Sequence, residues 1–69
     1  MDEKEMETRF TYHSPKGNQP QKYETIRNEA RRFATIVDSL CPESREKSLA
    51  MTQIEDAVMW ANAAIARRT

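Results

Sequence analysis

The chain has 69 residues, with eleven basic and eleven acidic side chains, one cysteine and one histidine. A single cysteine allows no intrachain disulfide, one His and one Cys cannot assemble a four-ligand zinc site, and a balanced charge argues against a protein that grips duplex nucleic acid. The start MDEKEMET has no apolar leader, and the longest uncharged run, ten residues, falls short of the ~20 that span a bilayer, so the sequence predicts no membrane insertion and a cytoplasmic location.

Taken in chain order, residues 1–8 carry four acids (Asp2, Glu3, Glu5, Glu7) against Lys4 and show no periodicity. They read as a frayed start or a short helical turn. Residues 9–69 carry ten bases and seven acids, a net of +3 that suits a small anion. Residues 9–19, RFTYHSPKGNQ, form a tether with the only glycine, two aromatics and two cations. Residues 1–19 are thus an acidic start and tether, and residues 20–69 a helical hairpin.

The first long helix is predicted over 20–40. Pro20 suits a first helical position, with Gln19, or Asn18 with Gln21, as the cap. Tyr23, Ile26, Ala30, Phe33, Ala34, Val37 and Leu40 recur at helical spacings of three and four. Cys41-Pro42 breaks the helix, and Pro42 is read as an early position of a second one, with Glu43 and Glu46 near its positive end. So short a turn makes the two helices antiparallel neighbours and brings Arg67 and Arg68 to the end of the hairpin that carries the tether.

The second helix decides the class. Its run AVMWANAAIA, residues 57–66, has no charge and spreads apolar side chains around most of the helix. One partner helix cannot cover it, and Trp60, Met59 or Ile65 would stand partly in water. Domains below roughly 70–80 residues need staples or association, and staples are excluded here. The fold class is therefore all-α, a two-helix hairpin with an N-terminal tether or short helix, assembled into a compact homo-oligomer.

Tyr12 with Lys16, Arg67 and Arg68 is the leading constellation. An aromatic face stacks on a base and guanidinium groups fork phosphates, the combination a nucleotide-sized anion requires. The plainer reading, which composition alone favours, has Phe10 and Tyr12 stapling the tether to the hairpin and the two arginines complementing a helix dipole. Lys22, Arg27, Arg31 and Arg32 read mainly as a solvated face, with Arg27 set apart by its position beside Ile26 and Tyr23 at the edge of the apolar stripe. Catalysis is poorly supported. Cys41 is remote from His13, Glu55 and Asp56 point about 100° apart on a helix, and Gly17 stands alone rather than in a phosphate loop. An enzyme is not expected, and neither a cofactor nor a metal.

The tether FTYH-P-KGNQ, Tyr23, Ile26-Arg27 and the run CPESREKSLAMTQIEDAVMWANAAIAR resemble the hairpin domain of phage anti-CBASS proteins of the second type, shared with Thoeris-directed phage sponges. The likeness covers about residues 10–67. It implies a hexamer that sequesters the cyclic oligonucleotides of bacterial CBASS defence without cleaving them. It also implies two kinds of pocket, one between paired subunits for cyclic dinucleotides such as 3′,3′-cyclic GMP-AMP and one near a three-fold axis for cyclic trinucleotides. By the resemblance, Tyr12 stacks on a base and Arg27 meets a phosphate of the dinucleotide, with His13 and Lys16 of the tether beside them. Arg67 falls in the trinucleotide site, with Asn28 as its polar partner and Arg68 as a further cation with no assigned role. Other members carry lysine where Arg27 stands, and a wider fork changes ligand preference. The alternative from another class is a small oligomeric helical adaptor that binds a host protein through its apolar face.

Overall fold

Asp2 starts the first helix by accepting a hydrogen bond from the Glu5 amide at 2.8 Å, the usual device for an orphan helical N–H. The computed structural model describes all 69 residues as three helices: α1 (Glu3–Phe10), α2 (Gln19–Leu40) and α3 (Arg45–Arg68). Of the two readings of the first residues α1 is the short helix and not the frayed start, and it takes Arg9 and Phe10 out of the tether. Eight residues are too few for an isolated helix. α1 is supported by its cap, by acids in its first turn and Arg9 in its last, and by an ion pair to α3 described below.

α2 and α3 lie antiparallel, joined by the short turn that Cys41-Pro42 forces. Tyr23, Ile26, Ala30, Ala34 and Val37 form the half-buried stripe of α2, while Phe33 and Leu40 stand to its side, exposed. α3 begins later than Pro42 suggests. Ser44, in extended conformation, accepts the Lys47 amide at 3.1 Å, so Pro42 and Glu43 precede the helix. Glu43 instead reaches Lys47 Nζ at 2.6 Å, joined by Asp38 Oδ1 and the Asp38 carbonyl, each at 3.0 Å. With three acceptors, Lys47 is buried and clamps the end of α2 to the start of α3.

The other end of the hairpin is closed by Gln19. Its Nε2 donates to the Ile65 carbonyl at 3.1 Å and to Thr69 Oγ1 at 2.9 Å, and its Oε1 accepts the Lys16 amide at 3.1 Å. One amide thus caps α3 from α2 and holds the end of the tether. Just before it, Gly17 adopts φ +57, the left-handed turn that favours glycine. Replacing the buried Gln19 with Ala should remove all three bonds, leaving the Lys16 amide without an acceptor while Thr69 Oγ1 still meets the Ile65 carbonyl, and cost roughly 1–3 kcal/mol. Thermal or denaturant unfolding measures that loss, and a stability equal to wild type would show that water replaces all three bonds.

No apolar side chain is buried in a single chain, and Phe33, Met59, Trp60 and Leu40 are more than half exposed. The hairpin is a slab of 46 × 28 × 12 Å, one helix layer thick. Its radius of gyration is 15.3 Å, against about 11 Å for a compact chain of this length. Its surface is 5697 Å², against about 4,500 Å² for a monomer of this mass. The groove between α2 and α3 lined by Ile26, Phe33, Val37, Ile54 and Val58 is apolar and open. No helix is long and apolar enough to cross a membrane.

Candidate functional site

The antiparallel pairing brings the last turn of α3 beside the start of α2, and α1 and the tether fold over that end. Together they enclose an open depression of about 520 Å³. Arg9 of α1, Tyr12 and His13 of the tether, Arg27 of α2, and Asn62 and Arg67 of α3 line it, and no carboxylate does. Three arginines drawn from three helices therefore face one concave surface. A smaller depression of about 410 Å³ adjoins it, where Arg9, Arg67 and Arg68 surround Trp60.

Tyr12 is 81% exposed and Phe10 77%. Neither packs on the hairpin, so aromatic stapling is not what holds the tether in this chain. His13 does that work. Its Nε2–H donates to the Thr8 carbonyl at 2.8 Å, turning the tether back onto α1, while Gln19 secures the far end. Tyr12 is suspended between these two anchors with its face free.

The remaining residues singled out by sequence are placed differently. Lys16 and Asn28 line neither depression. Arg68 is engaged rather than free: Nη1 and Nη2 fork the two carboxylate oxygens of Glu5, each at 3.0 Å. Glu5 Oε2 also accepts Arg9 Nε at 2.7 Å. Sequence reasoning passed over Arg9, whose only local sign was Glu5 four residues earlier, and it passed over Asn62 as a site residue. Asn62 Oδ1 is buried in the depression wall with no hydrogen-bond partner, a costly state for an acceptor. Its signal was a lone amide inside the otherwise apolar run 57–66.

Hydrogen bonds from Arg68 and then Arg9 hold the Glu5 carboxyl well below its ordinary 4.5, at about 2. Because the folded value is the lower one, the support it gives to α1 is complete above pH 4.5 and is lost as pH falls toward about 2. Acidification through that window should shift the amide resonances of Met6–Phe10 before those of α2 and α3. High salt should act in the same direction on so accessible a pair. Resonances of α1 that stay fixed down to pH 2 would show that the fork does not dock the helix.

The matched family model is described as Acb2/Tad1, hairpin domain, and it spans residues 1–66, thus α1, the tether and nearly all of the hairpin. The chain belongs to the Acb2/Tad1 hairpin family. This is a family of phage anti-defence sponges, proteins that hold a ligand rather than convert it. No curated protein and no solved structure matches the chain. Within the family frame the depression at the open end is the natural candidate for the held ligand. It is also where α1, the tether and both long helices meet.

Proposed function

We propose that this protein sequesters cyclic oligonucleotide second messengers, cyclic dinucleotides such as 3′,3′-cyclic GMP-AMP and cyclic trinucleotides, in the bacterial cytoplasm and so keeps CBASS effectors inactive. The observation that carries this reading is the exposed Tyr12 ring beside Arg27 and Arg67 on a concave surface without carboxylates. The ring offers a stacking face, and each guanidinium offers a planar fork for a phosphate.

Oligomerisation is part of the proposal. An open apolar groove on a slab one helix thick calls for further copies, and a hexamer matches the reading from resemblance. A symmetric ligand with two or three equivalent phosphates is met by one Arg27 or Arg67 from each related subunit. Arg67 shares no depression with Asn28 of the same chain, so a joint trinucleotide site would draw Asn28 from another copy. The open groove also fits the adaptor reading, but that reading leaves the clustered arginines without a task.

The residues near the pocket fit holding rather than cutting. Hydrolysis of a phosphodiester needs a positioned base or an activated nucleophile. His13, the nearest candidate, is tied to Thr8 through Nε2–H with no carboxylate lining the depression to pair with it, and Cys41 lies in the turn at the opposite end of the hairpin. The test is to heat the purified protein and identify released nucleotides by mass spectrometry, then to incubate it with 3′,3′-cyclic GMP-AMP, denature it and chromatograph the ligand. Intact ligand that again activates an effector supports the sponge. Linear dinucleotide accumulating with time, or no binding of any cyclic oligonucleotide, overturns it.

A further inference from the structure

Of the three arginines at the depression, two stand on long helices that pack against each other. Arg9 stands on the last turn of an eight-residue helix, yet it is fixed by a device of its own. Its Nε–H donates to Glu5 Oε2 at 2.7 Å, and no protein group takes its two terminal Nη nitrogens. The side chain is about half exposed and borders both depressions. Glu5 is held in turn by the two bonds from Arg68 on the final turn of α3. The chain of contacts therefore runs from α3 through Arg68 and Glu5 to Arg9.

A guanidinium pinned through Nε keeps its outer Nη pair in one plane, and that edge matches two phosphate oxygens. An arginine already held in its binding rotamer loses less freedom when an anion arrives. Glu5 docks α1 to α3 through Arg68, and by charge alone it repels an anion at the neighbouring pocket.

We propose that Arg9 is a phosphodiester-contacting residue of the pocket and that Glu5 is its positioning residue, kept in place by Arg68. This rests on the nucleotide reading above and adds to it a third cation and the means of aiming it.

The experiment is calorimetry of the full-length protein with 3′,3′-cyclic GMP-AMP at low and high salt, with light scattering and circular dichroism to confirm that each variant stays assembled and helical. Arg9→Ala should bind about tenfold more weakly, as loss of a charge-assisted hydrogen bond does. Its affinity should also depend less on salt. Glu5→Gln sets positioning against plain electrostatics, with the Met6–Phe10 amide resonances read alongside to establish that α1 stays docked in the variant. It removes a negative charge near an anion, so charge alone predicts tighter binding, whereas loss of the pin predicts weaker binding. Arg9→Lys keeps the charge but has no Nε to pin, and should fall between Arg9→Ala and wild type. Arg9→Ala binding as wild type overturns the contact, and Glu5→Gln binding equally well or better overturns the positioning.

A second measurement needs no ligand. The Arg9 Nε–H should exchange slowly with solvent in wild type and rapidly in Glu5→Gln, and rapid exchange in both would also overturn the pin. Wild-type protein that binds no cyclic oligonucleotide would sink the sponge reading together with the Arg9 contact, while slow Nε–H exchange would still establish the pin.

Discussion

Ala61→Glu should dissociate the assembly and, with it, much of the helical structure. Ala61 lies with Ile26, Phe33, Val37, Ile54 and Val58 on an apolar groove of about 650 Å³ that runs between α2 and α3. Nothing in a single chain covers that groove, and no apolar side chain of the chain is buried. A second copy seated there would desolvate the new carboxylate without a partner, at a cost of about 3–5 kcal/mol, the scale of an uncompensated buried charge. A core this small supplies no more than about 3–5 kcal/mol, so the dissociated hairpin should lose ellipticity as well. Light scattering and circular dichroism across a concentration series measure both. A wild-type protein that remains a folded monomer at micromolar concentration would contradict the expectation at its root.

Tyr12→Ala should behave in the opposite way, losing ligand while keeping structure. The ring is exposed, and its removal opens no cavity. The tether stays tied by His13 to Thr8 and by Gln19 to Lys16 and α3. Base stacking on an aromatic side chain contributes ~1–3 kcal/mol per base, so affinity for a cyclic dinucleotide should fall between about fivefold and a hundredfold. Tyr12→Phe, which keeps the ring face, should retain most of it. Unchanged calorimetric affinity in a folded Tyr12→Ala protein would remove Tyr12 from the site, leaving the arginines as simple surface charge.

These two expectations draw on different parts of what was legible. The apolar excess of helix 2 could be read from the run 57–66, because a ten-residue stretch without a charge has no face left for solvent. The brevity of the turn put Arg67 and Arg68 at the end that carries Tyr12, His13 and Lys16, which is a matter of chain length and not of packing detail, whereas Arg27 was joined to Tyr12 by the resemblance alone. Arg9 and Asn62 were passed over for a common reason. Each looks ordinary in sequence, one half of an acid–base pair and one amide among alanines. Their significance comes from what lies across from them in space.

The sequence alone determined the elements whose causes are local. Apolar spacing of three and four makes α2, Cys41-Pro42 ends it, and the acids and the absent charges bias where α3 begins and how thirsty it is for partners. Tertiary structure decided the rest. α1 is a helix docked through Glu5 and Arg68, 63 residues apart, an attraction that no local pattern of residues 1–8 contains. Lys47 is buried, against the habit of lysines, because Asp38 and Glu43 converge on it across the turn. Gln19 caps a helix other than its own. For α1 and Gln19 a polar group meets a partner far along the chain, and for Lys47 acids from the two sides of the turn, and these meetings exist only once the helices have come together.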